Sequence, residues 1–169
     1  MTRRVVLFSL LFALLGPGLE TIVAPLLLTG FETGDGLPGG LADGAFGALL
    51  IVSGALVIVD SLVRFARQGG GSLSAAAPTQ RLVVAGVYRY VRNPIYLATA
   101  AVLTGQALLL RQPILLAAAA VYLAAMATLT RLREEPLMRR RFGAQYEDYR
   151  AAVRGWWPRS RPWSQPKDL

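Results

Sequence analysis

Arg92, Asn93 and Pro94 stand together immediately before an apolar run. That order of residue types is a helix start, with Asn at the N-cap and Pro at the first helical position. An exposed helix amino terminus offers free N–H groups and the positive end of the helix dipole. With Arg92 beside it, this stretch could hold a carboxylate or a phosphate. Glu134 and Glu135 supply the opposite chemistry, at the end of a later apolar run where Pro136 disturbs the backbone. They read either as a solvated helix end neutralised by Arg131 and Arg133, or as a carboxylate aimed at a cationic group such as an ammonium. Tyr88, Tyr90 and Tyr96 read as interfacial anchors or as walls for a flat ring.

The rest of the composition narrows what these groups can do. The chain has no Cys and no His, so thiolate nucleophiles, disulfides, zinc sites and imidazole acid–base chemistry are excluded. Catalysis has to run on Arg, Glu, Asp, Tyr, Asn and backbone groups. Of the 169 residues 54% are hydrophobic and 17% charged, a balance that suits membrane-crossing helices better than a soluble domain.

Those helices must position the polar stretches. A first span over Val5 to Leu28 is broken by Gly16-Pro17-Gly18, and a kinked span is preferred to a signal peptide because no small-x-small cleavage site follows. A second runs from about Ala45 to Phe65. Two shorter runs, Ile95 to Leu110 and Pro113 to Thr130, are separated by Arg111-Gln112 and predict a tight helical hairpin near the lower length limit for a span. The fold class is therefore all-α and integral to the membrane, with about four transmembrane helices and a cytoplasmic, amphipathic carboxyl-terminal cap. With a cytoplasmic amino terminus, every one of the 18 Lys and Arg residues except Arg111 falls on the cytoplasmic side. The net charge of +8 is thus a topology signal, not a nucleic-acid one. Gly69 to Ala77 reads as a linker, Gly34 to Gly40 as a loop too flexible to form a site by itself, and Arg139 to Arg141 as a lipid-facing basic run. Tyr146, Tyr149 and Val153 recur at helical spacing and predict a short helix packed on the membrane face. Trp156, Trp157 and Trp163 predict an interfacial tail.

An anion site near Arg92, a cation site near Glu134 and tyrosines around them match the amino-acid end of S-adenosylmethionine. Here the chain resembles the isoprenylcysteine carboxyl methyltransferase family, which is related to the phospholipid N-methyltransferases. The residues that carry the resemblance are Leu82-Val83-x-x-Gly86-x-Tyr88, Tyr90-Val91-Arg92-Asn93-Pro94-x-Tyr96, Glu134-Glu135-Pro136-Leu137 and Phe142-Gly143-x-x-Tyr146-x-x-Tyr149. They cover residues 78–158, with two spans and a linker before them (1–77) and a tail after (159–169), in a single domain. The resemblance implies an integral membrane methyltransferase that binds S-adenosylmethionine on the cytoplasmic side under a carboxyl-terminal cap. Carried over by position, Gln80, Arg81, Leu82, Val83 and Tyr88 would line the cofactor. Arg92, Asn93, Pro94 and Tyr96 would form its amino-acid end, and Glu134 would take its ammonium. Arg131 lies near the place of a substrate-side arginine. Many members of that family have His where this chain has Asn93, and an amide cannot titrate, so acid–base chemistry at that position is void here.

Methyl transfer from a sulfonium is an in-line displacement on an activated carbon, so the protein mainly holds donor and nucleophile aligned. A carboxylate acceptor needs no base. A primary amine would call on one such as Glu134 or Glu135. The expected acceptor is lipidic or a small hydrophobic molecule, possessing a carboxylate in the leading reading and a phospholipid amine in the alternative. No metal and no nucleic acid are expected as partners. A non-enzymatic scaffold or transporter subunit is the rival from another class, with the intramembrane acids Glu20 and Asp60 as its support. Asp60 lies four residues before Arg64, though, the spacing of a helical ion pair.

Overall fold

The computed structural model describes residues 14–68 and 81–164, and structural statements refer to those residues. The amino-terminal part of the first apolar run, the linker at residues 69–77, Gln80 and Lys167 lie outside them. All regular structure among the described residues is helical.

The first apolar run kinks where Gly-Pro-Gly requires it. A wide turn at Leu14–Gly18 places Gly16 outside helical geometry, and helix α1 (Leu19–Thr29) starts directly after it. Gly30, in the left-handed conformation at φ 60°, closes α1 by donating its N–H to the Leu26 carbonyl. Helix α2 (Leu41–Gln68) is 28 residues long, about 42 Å at 1.5 Å per residue. Helices α3 (Pro94–Leu110) and α4 (Pro113–Leu129) form the anticipated hairpin, turned by Arg111 and Gln112. Two apolar stretches, Leu41–Arg64 and Pro113–Phe142, are long enough to cross a membrane, while Gly16–Thr29 and Pro94–Leu110 are shorter.

The stretch Pro113–Phe142 corrects the expectation of a short final span over Pro113 to Thr130, disturbed at Pro136. The helix widens by one residue over Thr130–Glu134, where the N–H of Glu135 bonds the carbonyl of Thr130 five residues back. The wider turn makes room for the proline ring, which has no N–H to give and would otherwise crowd the preceding turn. Helix α5 (Glu135–Phe142) continues beyond it. Gly143 at φ 53° then turns the chain into α6 (Ala144–Ala152).

The chain divides into two compact units. One takes in residues 14–58 and 95–127, and the other residues 59–68, 81–94 and 128–164. In the first unit, α2 and α3 touch backbone to backbone at glycines. A Cβ on Gly54 would lie 2.7 Å from the Ala98 carbonyl oxygen, and one on Gly47 would lie 2.8 Å from that of Gly105. The loop at Gly34–Gly40 is tied to the α3–α4 turn, so it is less free than its composition suggests. Arg111 donates to the Leu37 carbonyl (3.0 Å) and pairs with Asp35 (3.3 Å), while Gln112 donates to the Glu32 carbonyl (3.1 Å). Glu20 faces a partner in the same unit, the Tyr122 hydroxyl. Leu49, Val52 and Leu56 on the outside of α2 are exposed, as suits a hydrocarbon solvent.

In the second unit the end of α2 supports the polar stretch that precedes α3. The Asp60–Arg64 pair forms as its spacing predicts, at 2.7 Å. Gly86 has φ +55°, a conformation that favours glycine, and a Cβ there would also displace the Arg64 guanidinium. The tight turn Gly86–Arg89 that follows buries Tyr88.

Candidate functional site

Residues 153–164 leave α6 and lie as a strap along residues 89–93. Main-chain hydrogen bonds make the junction. Arg92 N donates to Arg154 O (3.0 Å), Asn93 N to Gly155 O (3.2 Å), Arg159 N to Tyr90 O (2.9 Å) and Trp163 N to Arg89 O (3.0 Å). Arg89 reinforces it, donating from Nε to the Trp163 carbonyl at 2.6 Å. A methyl on Gly155 would lie 3.3 Å from both Arg92 Nη2 and Asn93 Nδ2, so the glycine lets the strap approach these groups closely.

Tyr146, Tyr149 and Val153 are buried, as their spacing suggests, but against protein and not the membrane face. Leu82, Val84, Phe142 and Trp163 pack on them. The tail is corrected in the same way: Trp163 lies 5.6 Å from the Tyr149 ring, and Trp157 is the exposed member at 73%. A tertiary face was available to cover the apolar stripe, and amphipathicity alone does not distinguish it from lipid.

The Tyr149 hydroxyl donates to the Tyr88 carbonyl at 2.6 Å. Burial pushes the hydroxyls of Tyr88, Tyr146 and Tyr149 above the ordinary tyrosine range, with Arg92 partly offsetting this for the last two. Unfolded tyrosines lose their protons near pH ~10 while the folded ones keep them, so stability is full below that pH and falls above it. The thermal midpoint in neutral detergent should therefore drop as the pH rises past about 10. Tyr149→Phe should flatten that dependence while losing about 1–2 kcal/mol from the hydrogen bond. A parent midpoint independent of pH in this range would refute the burial argument.

The widened turn before α5 sends the two adjacent carboxylates to different partners. Glu135 turns to Arg92, whose Nη1 lies 2.9 Å from Oε1, and Arg150 Nε lies 3.3 Å from Oε2 without being directed at it. Arg92 also donates from Nε to the Val153 carbonyl (2.9 Å) and from Nη1 to the Tyr146 hydroxyl (2.8 Å). Its planar fork thus joins α5, α6 and the strap. Glu134 accepts a hydrogen bond from Thr130 Oγ1 at 3.1 Å, and its charge reaches the Tyr88 hydroxyl. Asn93 presents a buried Nδ2 with no hydrogen-bond partner.

The structure therefore brings Arg92, Asn93, Glu134, Glu135, Tyr88 and Pro94 into one unit. Val83 and Tyr88 are buried, Leu82 packs on the tyrosine cluster, and Arg81 and Arg131 are exposed. Tyr96 belongs to the other unit, where its ring meets Tyr122 edge-on at 6.4 Å. Gln80 is outside the described residues. The sequence reading missed Arg150 and Gly155. Arg150 at i+4 from Tyr146 was a visible signal, since that places it on the same side of α6 as a buried residue.

The sequence profile of the phospholipid methyltransferase family matches residues 43–145, more than half of the chain. The chain belongs to this family. It is a membrane methyltransferase, which agrees with its two long apolar helices. A search of curated proteins finds no match. The family match takes in α2, which carried no motif in the sequence reading. It ends at Gln145, so Tyr146, Tyr149 and the strap lie outside it.

Proposed function

We propose that the protein transfers a methyl group from S-adenosylmethionine to a lipidic or small hydrophobic acceptor at the membrane, with both termini and the site on the cytoplasmic side. The observation that carries the cofactor reading is the buried Asn93 Nδ2 without an acceptor. A buried donor left unpaired costs about 1–3 kcal/mol, and a ligand carboxylate would remove that cost. Arg92 adjoins it as the cation, already oriented by Glu135, Tyr146 and the Val153 carbonyl. Glu134 accepts a hydrogen bond from Thr130, and an ionised carboxylate is the group whose charge suits an ammonium. The donor set fits the amino-acid end of the cofactor, with Leu82, Val83 and Tyr88 as walls and the strap as the part that excludes water.

When bound, S-adenosylmethionine supplies a methyl group on a sulfonium, a carbon that needs no further activation. The chain's own residues bind and align. Glu135 is held by two guanidinium groups, so its role is to position Arg92. A carboxylate acceptor, as in the isoprenylcysteine enzymes, suits a site without a dedicated base. The phospholipid amine reading is supported by the family match and would require a proton acceptor beside the groups that hold the cofactor. The cytoplasmic placement follows from the asymmetry of Lys and Arg, all but Arg111 lying on one side. Arg111 and the acidic Asp35 sit at the same end of their unit, as that topology requires.

Calorimetry with purified protein tests the cofactor site. Glu134→Gln should weaken S-adenosylmethionine binding by roughly 1.5–3 kcal/mol, the range for a charged hydrogen bond. Asn93→Ser, which caps a helix equally well, should also weaken it with little change in thermal stability. Parent-like affinity in both variants would overturn the placement. Labelled methyl groups then identify the acceptor: base treatment releases methanol from a methyl ester and leaves an N-methyl group intact.

A further inference from the structure

Thr130 is 4% exposed and stands at the last position of the apolar run that begins at Pro113. A buried hydroxyl has to find its acceptor inside the protein. In a helix the ordinary acceptor is the carbonyl four residues back, and other threonines of this chain use it. Thr21 donates to the Pro17 carbonyl at 2.6 Å, Thr29 to that of Pro25 at 2.7 Å and Thr104 to that of Ala100 at 2.8 Å. Thr130 donates forward instead, from Oγ1 to Oε2 of Glu134 at 3.1 Å. A hydroxyl has one proton to give, and here it is committed to a side chain.

The backbone brings the two groups together. Side chains of a helix lean towards its amino terminus, so Glu134 reaches back over the turn that carries Thr130. That turn is the widened one, in which the Thr130 carbonyl takes the N–H of Glu135. Thr130 therefore holds the backbone of one glutamate through its carbonyl and the carboxylate of the other through its hydroxyl. Valine has nearly the shape of threonine and would complete the apolar run equally well. The hydroxyl is the part that the helix does not need, and it serves the half-buried carboxylate whose charge reaches Tyr88.

We infer that Thr130 is a positioning residue, which fixes the Glu134 carboxylate in advance for the ammonium of S-adenosylmethionine. The inference rests on the proposed assignment of Glu134 to that ammonium. Without the tie from Thr130, the ligand itself would have to order the glutamate. Immobilising a rotamer-rich side chain on binding weakens affinity by roughly three- to tenfold.

Calorimetric titration of the full chain in neutral detergent with S-adenosylmethionine tests this. Thr130→Val keeps the shape and removes the hydroxyl, and its dissociation constant should rise roughly three- to tenfold. Thr130→Ala should show the same loss, and it carries the test if the valine variant does not fold. Thr130→Ser restores the hydroxyl and should bind like the parent. A double-mutant cycle separates positioning from a general effect on the helix. In a Glu134→Ala background, Thr130→Val should change the affinity no further, because the carboxylate that it positions is gone. Parent-like or tighter binding in Thr130→Val and Thr130→Ala, an equal loss in Thr130→Ser, or a full further loss in the Glu134→Ala background would each overturn the inference. Unchanged affinity in Glu134→Ala alone would overturn the assignment of Glu134 first, and the role of Thr130 with it.

Discussion

Glu135→Ala is expected to destabilise the protein by about 3 kcal/mol or more, the cost of removing one partner from a buried ion pair. Glu135 is 16% exposed and Arg92 12%, so neither is well solvated. Its removal leaves the Arg92 guanidinium facing a gap, with Arg150 beside it and no carboxylate between them. Arg92 would then be left poorly solvated beside a second guanidinium, that of the more exposed Arg150. Arg92 also carries the hydrogen bonds to Tyr146 and to the Val153 carbonyl, so its displacement should loosen the strap as well as α5. Denaturant melts followed by tryptophan emission measure this directly, because the fluorescent groups all lie on the strap. Glu135→Gln, which keeps the shape and one acceptor, should cost less. If alanine and glutamine variants both melt with the parent, the pair is not holding the strap.

The second large effect is expected at Gly105. A Cβ there would come 2.5 Å from the Gly47 carbonyl oxygen and 2.8 Å from Ile51 Cγ1. Backbone oxygen cannot rotate away, so Gly105→Leu has to push α2 and α3 apart. Overpacking of this kind costs typically 1–3 kcal/mol, and rigid backbone on one side puts this site at about the upper end. Gly44→Ala is the internal control. Its Cβ would make ordinary contact with Leu109 at 3.9 Å, and helix propensity favours alanine by roughly 1 kcal/mol. The detergent-solubilised melting temperature should therefore fall in the first variant and hold or rise in the second. A Gly105→Leu protein as stable as the parent would mean that α2 and α3 do not meet at these glycines.

These two sites also show what could be read from sequence and what could not. The helices were legible because apolar length and breaker residues are local signals: Gly16-Pro17-Gly18 kinks the first run, and Arg111-Gln112 turns the hairpin. The Asp60–Arg64 pair was legible for the same reason. Glu134 and Glu135 were recognised as important, but which of them faces Arg92 was not. Their divergence depends on the one-residue widening of the helix at Thr130–Glu134, and no residue type announces such a turn. The final span was read as ending at Thr130 for want of that information. The link from Arg92 to Glu135 and Tyr146 joins residues distant in sequence, beyond the reach of any periodicity. The strap was invisible as a strap, because it attaches through N–H and carbonyl groups that every residue except proline carries in full.

That mode of attachment sets the freedom of the strap to change. Between residues 89–93 and 154–163 the junction is written mainly in main-chain atoms, with Gly155 as the one position where a side chain would intrude. Side chains at 156–162 can then be exchanged for others without unpicking the closure, and the rim of the site can be retailored while the seam stays shut.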